Sequence, residues 1–413
     1  MQNDKFSPWP CFDAETVAAV SSVLSSNKVN YWTGGEGRSF EHEFSAWCEA
    51  DHAIALTNGT VALDLALAGL GIGSHNGGKA EDEVIVTPRT FLASVSCVVN
   101  AGAVPVFADV DRNSGNITAA TIDAVVTPCS RAIIAVHLAG WPCDMDPIMA
   151  LAEKYRLKVI EDCAQAHGAR YKGRPVGSIG DVAAWSFCQD KIMTTGGEGG
   201  MVTTNDRDLW SIMWSYKDHG KSWEAVYEHQ HPPGFRWLHE SFGTNWRMIE
   251  MQAAIGRIQL GHMTDWTNQR GANAKIIIDA LEPFTKEDGP IRLPAFNCAS
   301  CAESICRKGC LHAQYKFYAY VRPQNLSPDW SRDRIVEEIT DSGVPCFQGS
   351  CSEVYLERAF DETGWRPKER LPIAKELGET SLMFLVHPTL TNSEMVKTAV
   401  ILSEVLKHAQ KTY

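Results

Sequence analysis

The sequence contains no apolar run approaching the ~18 residues that a membrane-spanning helix needs. Its first residues, MQNDKFSPWPCFD, lack the basic and apolar blocks of a secretion signal. A cytoplasmic protein that does not engage membranes is therefore expected. Positive charge is also in short supply, with 38 Lys and Arg against 50 Asp and Glu and a formal net charge of -12. That balance opposes non-specific attraction to nucleic acid or anionic lipid, so neither is expected as a partner, and any anionic ligand must be held by a local site. Internal repeats and low-complexity tracts are missing as well. With 44% apolar and 21% charged residues, the composition is that of a compact soluble protein, not a disordered, collagenous or coiled-coil chain. A length of 413 residues leaves room for roughly two to four domains.

Cysteine is not scarce. There are 13, an odd number, and without a secretion signal they read as reduced thiols or ligands more readily than as a disulfide framework. Cys298, Cys301, Cys306 and Cys310 form a C-x2-C-x4-C-x3-C cluster in CASCAESICRKGC. Four thiolates this close suit zinc or an iron-sulfur centre. The spacing is not that of a standard pair of metal knuckles, however, so an unmetallated surface loop is the expectation and no metal is assigned.

Between residues 50 and 205, short β-rich runs recur: IALT from Ile54, EVIVT from Glu83, VPVF from Val104, AIIAVHL from Ala132, KVIED from Lys158, VAAWSF from Val182 and GMVTT from Gly200. Strands apolar on both faces that alternate with helical patterns predict an α/β protein with a mostly parallel sheet covered on both sides. DMDPIMALAEKY from Asp144 opens with a capping residue and carries apolar positions three and four apart, as a crossover helix does. Only about a dozen glycine-rich residues separate the last two strands, too few for a helical crossover, so that pair should be antiparallel or differently connected. The stretch from about 218 to 243 has no clear period and is expected to be a long ordered, functional loop. A helix from roughly Met248 to Leu281 then leads to a smaller α+β region, with a strand near QYKFYAYV and helices near SRDRIVEEITDSG and NSEMVKTAVILSEVLKHA. The expected division is a large cofactor-binding domain over residues 1–280, with an N-terminal arm of about 30 residues, and a small C-terminal domain over 281–413.

Three features could carry chemistry together. Lys191 sits in the glycine-rich stretch SFCQDKIMTTGGEGGMVTTN, where glycine lets backbone approach a bound group closely. Asp162 ends the strand of KVIEDCAQAHGA, and open α/β sheets bind ligands at the C-terminal ends of their strands. In TNGTVALDLAL a strand ends at Thr57 and a helix opens at Asn58, Gly59 and Thr60, an arrangement whose free amides receive a phosphate. A phosphate seat, a carboxylate and an amine in that order are what pyridoxal 5'-phosphate needs: an anchor, a partner for its pyridine nitrogen, and a Schiff-base amine.

At these residues the chain resembles the DegT/StrS family of sugar-nucleotide aminotransferases, which has the type I aspartate-aminotransferase fold. The resemblance runs from about Tyr31 to His387 through TGGEGRSFEHEFSAW, LTNGTVALDLAL, DEVIVTPRTFLAS, VPVFADVD, AIIAVHLAGWPCDMDPI, VIEDCAQAHGA, GDVAAWSF, GGEGGMV, NWRMIEMQAAIGRIQL and VHPTLTNSE. It implies that Lys191 forms the Schiff base, Asp162 partners the pyridinium nitrogen and Gln165 reaches the phenolic oxygen. Phe91 would stack on the ring, and Ser186 with the amides of Gly59 and Thr60 would hold the phosphate. Asn245, in NWRM, resembles a residue that reaches the phosphate from a neighbouring subunit, which implies a homodimer with composite active sites. His167 and His219 fall in family motifs, with structural roles expected. Two positions depart from the pattern: Asn58 stands for the usual Ser or Ala, and Asp190 for the usual Ser or Thr before the lysine. Asp190 is expected to turn away from Lys191, since an inward carboxylate would oppose a lowered lysine pKa.

The resemblance further implies an aminotransferase that takes an amino group from glutamate and delivers it to a nucleotide-linked keto sugar for aminosugar, surface polysaccharide or lipopolysaccharide biosynthesis. SGVPCFQGSCSEVYLERAF resembles members that act on 4-keto-6-deoxy sugars, and a UDP-linked 4-keto-6-deoxy-N-acetylhexosamine is the expected acceptor, with GDP- or dTDP-linked 4-keto-6-deoxyhexoses as runners-up. Trp32, Trp223, Phe235 and Trp237 are the aromatic residues expected to wall the sugar pocket. Two alternatives stand beside this reading. One is a pyridoxamine-phosphate-dependent sugar dehydratase, whose relatives carry His where Lys191 stands; the other is a non-catalytic regulatory protein retaining the fold.

Overall fold

The structure, a computed structural model, describes residues 6–230, 237–294 and 309–411. Its strands are β1 (His52–Leu56), β2 (Glu83–Val86), β3 (Val104–Phe107), β4 (Ser130–Val136), β5 (Lys158–Asp162), a short hairpin of β6 (Arg170–Tyr171) and β7 (Arg174–Pro175), β8 (Val182–Ser186), β9 (Gly200–Thr204), β10 (Ile291–Arg292), β11 (Phe317–Val321), β12 (Cys346–Phe347) and β13 (Ser381–Phe384). The helices are α1 (Ala14–Ser26), α2 (Glu36–Trp47), α3 (Gly59–Gly69), α4 (Ala93–Asn100), α5 (Ala119–Asp123), α6 (Met145–Tyr155), α7 (Arg207–Tyr216), α8 (Trp223–Tyr227), α9 (Glu250–Leu281), α10 (Arg332–Asp341), α11 (Pro372–Thr380) and α12 (Asn392–Ala409).

Seven strands form one sheet in the order β1-β9-β8-β5-β4-β2-β3. Neighbours from β3 through β8 run parallel, while β9 is antiparallel to both β8 and β1. The alternation within a single strand shows why both faces must be covered. In β4, Ala132, Ile134 and Val136 point into one apolar cluster, and Ile133 and Ala135 into another on the opposite face. A strand buried on both sides needs helices above and below it, which the βα connections supply. The reversal at β9 follows from the short glycine-rich link, as the spacing requires.

α9 spans 32 residues, about 48 Å at 1.5 Å per residue, and α1, α2 and α12 pack along it. A second sheet, β10-β11-β13-β12, is antiparallel and shares an apolar cluster with α9, α10 and α12. The segment from 218 to 243 contains α8 and backbone bridges from Asp218 to Asn245 and from Lys221 to His239. At α6 the expected cap differs from the observed one. Asp144 occupies the N-cap position, but its side chain makes no capping bond and instead accepts the hydroxyl proton of Tyr171. No helix among the described residues is long and apolar enough to cross a membrane.

Buried histidines give this fold an acid sensitivity. His167 is fully enclosed between Trp185 and Phe187, with ring centroids 5.2 and 5.6 Å away. Burial, helped by the charges of Lys191 and Arg270, pushes it down to about 3. The unfolded chain binds a proton near pH 6.5 that the fold excludes, so this contribution to stability is present above that pH and is lost as pH falls toward 3. At pH 5, His167 alone should cost about 2 kcal/mol. Urea unfolding at pH 7 and pH 5 should show His167→Phe losing about 2 kcal/mol less than the wild type over that interval. Equal losses would contradict the assignment.

Candidate active site

The cleft assembles at the C-terminal ends of β5 and β8 and the N-terminal end of α3, with a volume of about 650 Å³. Asn58 caps α3, its side-chain oxygen accepting from the Val61 amide at 3.0 Å. As the first two residues of the helix, Gly59 and Thr60 keep amides that no helical carbonyl can satisfy. The departure at Asn58 thus preserves the anion seat by supplying a strong N-cap side chain. Gly59 is required by close approach: a Cβ there would lie 2.5 Å from that of Ser186, the last residue of β8. The seat and the serine are consequently pressed together on the cleft wall.

Asp162 ends β5 and is 4% exposed. Ser94, from α4, donates its hydroxyl to Oδ2 at 2.7 Å, and the Ala164 amide donates to Oδ1 at 3.1 Å. Ser94 is in turn bonded to the Thr90 hydroxyl at 2.8 Å. Two donors fix the orientation of the carboxylate, as a partner for a ring nitrogen must be fixed. Gln165, three residues on, accepts the Ala139 amide through Oε1 at 2.8 Å.

Lys191 reaches the cleft from the link between β8 and β9, where Gly196 and Gly197 adopt φ values of 89° and 124° that other residues rarely take. Its backbone is held on both sides. The amide donates to the Cys188 carbonyl at 3.1 Å, and the carbonyl accepts the Trp9 indole N–H at 2.8 Å. Its Nζ lies 5.3 Å from the centre of the Tyr315 ring. Asp190 does not turn away as expected. It lines the same cleft, with its carboxylate accepting the Tyr315 hydroxyl proton. Although burial raises it, the charge of Lys191 and the Tyr315 hydrogen bond hold Asp190 below the usual carboxylate range. Those two partners make an inward carboxylate tolerable.

Of the residues named from sequence, Gly59, Thr60, Phe91, Asp162, Gln165, Ser186 and Lys191 line this one cleft. Phe91 is 70% exposed there and belongs to no core cluster. Asn245 is exposed and does not line the cleft of its own chain. His167 does not line it either, and His219 adopts a left-handed backbone at φ 61° while its amide donates to the Thr244 carbonyl. Trp32 and Trp223 are not cleft walls: both pack on Trp214 and Tyr227. Trp237 is 82% exposed away from the cleft, and Phe235 lies outside the described residues. Sequence reading missed Ser94 and Tyr315. Ser94 stands one helical turn after Phe91 in TFLAS, which was signal enough, whereas Tyr315 had only a strand pattern around it.

Cys298, Cys301 and Cys306 lie outside the described residues, and the Cys310 sulfur accepts the Lys172 amide at 3.2 Å. Among the described residues, His137, Glu161 and Cys163 form the cluster with ligand-like spacing. Its atoms are already used, because Glu161 accepts from the amides of Gly177, Ile179 and Gly180 and pairs with His137 Nε2 at 3.0 Å.

An α/β fold with an amine, a fixed carboxylate and a helix-end anion seat around one cleft defines a pyridoxal-phosphate-dependent aminotransferase. The sequence pattern of the DegT/DnrJ/EryC1/StrS aminotransferase family matches residues 10–402, and the chain belongs to that family. It is similar to the crystal structure of an aminotransferase from Psychrobacter cryohalolentis, with 61% identity, 98% of this chain and 99% of that one covered, and a TM-score of 0.93. Streptomyces venezuelae DesV, solved with a ketimine intermediate, is 32% identical, with 95% and 94% covered and a TM-score of 0.79. GDP-perosamine synthase from Caulobacter vibrioides is 32% identical over 95% of this chain and 99% of its own length.

If the Ser94-anchored carboxylate is the pyridinium partner, Asp162→Asn should leave the fold intact and lower turnover at least about 100-fold. Steady-state kinetics beside a circular dichroism spectrum check this, and a near wild-type rate would place the partner elsewhere.

Proposed function

We propose that this enzyme moves the amino group of glutamate to the 4-position of a nucleotide-linked 4-keto-6-deoxy sugar, with a UDP-linked N-acetylhexosamine as first choice. The observation that carries the reading is Lys191 and Asp162 on one cleft with the amides of Gly59 and Thr60. Relatives named for dTDP-, GDP- and UDP-linked sugars support a nucleotide sugar as acceptor. The likeness of SGVPCFQGSCSEVYLERAF to members acting on 4-keto-6-deoxy sugars supports the position and the deoxy carbon. The lysine at 191 weighs against a dehydratase.

When bound, pyridoxal phosphate supplies an electron sink for the charge left as a proton leaves the amino acid carbon. This chain's residues do the rest. Asp162, held by Ser94 and the Ala164 amide, keeps a proton on the ring nitrogen. Gln165, its Oε1 occupied by Ala139, offers its NH2 group to the phenolic oxygen. Phe91 would cover one face of the ring, and Gly59, Thr60 and Ser186 would hold the phosphate. Lys191 Nζ would take the proton from the amino acid carbon as a base and, as an acid, deliver it to the carbon that gains the hydrogen when the amino group is transferred. With the keto sugar as acceptor, the same amine would move a proton in the opposite sense, onto the sugar carbon that receives the amino group.

Asn245 completes the phosphate grip from a second copy of the chain in this proposal, which fits its exposure outside its own cleft. The unit is then a homodimer, working in the cytoplasm on a surface polysaccharide precursor.

Lys191→Ala should lose the absorption band near the visible edge and all turnover; a transaminating variant would end the assignment. Mixing Asn245→Ala and Lys191→Ala chains should recover part of the activity through hybrid dimers holding one intact site, and a fully active monomer would contradict this. Supplied with glutamate and a panel of nucleotide-linked keto sugars, the enzyme should turn over the UDP-linked 4-keto-6-deoxy substrate fastest. Turnover confined to 3-keto sugars would overturn the position while leaving Lys191 in place.

A further inference from the structure

Arg89 lies in TPRTF between β2 and α4, two residues before Phe91, with its side chain fully buried. One terminal nitrogen donates to the Ser352 hydroxyl at 3.2 Å. Ser352 is neutral, and its own proton goes to the Ala374 carbonyl at 2.6 Å. The Nε and the other terminal nitrogen of Arg89 are buried with no hydrogen-bond partner. Arginine cannot shed its charge, and a buried cation lacking both an opposite charge and full hydrogen bonding is strongly destabilising. The rings of Tyr318 and Tyr320, at 5.3 and 5.6 Å, offset part of that cost through their faces. They accept none of the in-plane N–H groups.

Arg89 borders a cavity of about 30 Å³, shared with Ser114, Ala139, Trp141, Tyr318 and Tyr320. That volume exceeds the ~10 to 15 Å³ one water needs and is far too small for a sugar nucleotide or a cofactor. Arg292 stands against Tyr320 as well, its guanidinium 4.4 Å from the ring and both terminal nitrogens buried without a partner. Two cations therefore flank one tyrosine, and no carboxylate of the described residues is bonded to either. Water in the cavity would satisfy N–H groups and leave the charge uncompensated; a small anion does both.

We propose that the cavity beside Arg89 binds a small monovalent anion, either a halide or the carboxylate group of a ligand. The site is separate from the phosphate seat and shares no lining residue with the cleft, but two hydrogen bonds join them. Ala139 bonds Gln165, and the Tyr318 hydroxyl accepts the amide of Ser350, which lines the cleft. An occupant thus fixes two residues that shape the cleft beside Gln165. The proposal does not depend on which sugar the enzyme takes.

Crystals of the full-length enzyme equilibrated with sodium bromide should show an anomalous peak within hydrogen-bonding distance of Arg89. In solution, bromide or formate should raise the Tm by about 2 °C or more over methanesulfonate at equal ionic strength, and Arg89→Met should remove that difference. Should Arg89→Met not fold, the wild-type map decides alone. A bromide peak displaced by 2-oxoglutarate identifies a ligand carboxylate as the occupant, and one that persists identifies a free halide. A map without bromide beside Arg89, with water only or with nothing, overturns the proposal whatever the Tm does.

Discussion

The register between β5 and β8 is the constraint on which the cleft depends. Pairing Asp162 with Ala184 sets the carboxylate two residues short of Ser186, on adjacent parallel strands. Parallel strands in an open sheet present their C-terminal ends to the same side, so the Asp162 carboxylate and the Ser186 hydroxyl arrive together without any loop having to find them. The Asn58-capped end of α3 then closes on Ser186 through Gly59, which has no Cβ to keep them apart. Sliding β8 by one residue would turn Ser186 to the opposite face and break the seat.

The antiparallel β9 supplies the other half of the site. Because it returns beside β8 without a crossover, the residues between them must stay at the strand ends, and Lys191 is among them. Its backbone is pinned by the Cys188 carbonyl and the Trp9 indole, so the side chain extends from a fixed base. The N-terminal segment that carries Trp9 also reaches α12, where Ser7 bonds Glu394, and thereby ties the small sheet's helix to the lysine link. A side-chain amine extending from a fixed backbone suits the proposed roles of holding a cofactor and relaying protons.

Much of this was legible in the sequence because it rests on short-range rules. Seven apolar runs gave seven strands, the length of the glycine link ruled out a helical crossover before β9, and the motif residues around Gly59, Asp162 and Lys191 met in one cleft. What failed to show depends on contacts between segments far apart in the chain. Asp190 stays inward because Tyr315 donates to it from 125 residues away. Trp32 and Trp223 join an aromatic cluster with Trp214 and Tyr227 instead of walling the cleft, a choice made by packing that local pattern does not encode. Asp144 sits where a cap belongs and bonds Tyr171 instead. Asn245 has no place in the cleft of its own chain, so its part can be judged only in an assembly.

The central claim is that Lys191 is the amine that holds the cofactor. Lys316 is its nearest chemical rival, since burial pushes that amine down to about 8 beside the same Asp190. Borohydride reduction of the cofactor-loaded enzyme, followed by proteolysis and mass spectrometry, separates the two. The account predicts the reduced adduct on the peptide containing Lys191, with Lys316 unmodified. An adduct on Lys316, or on any other lysine with Lys191 free, would contradict it.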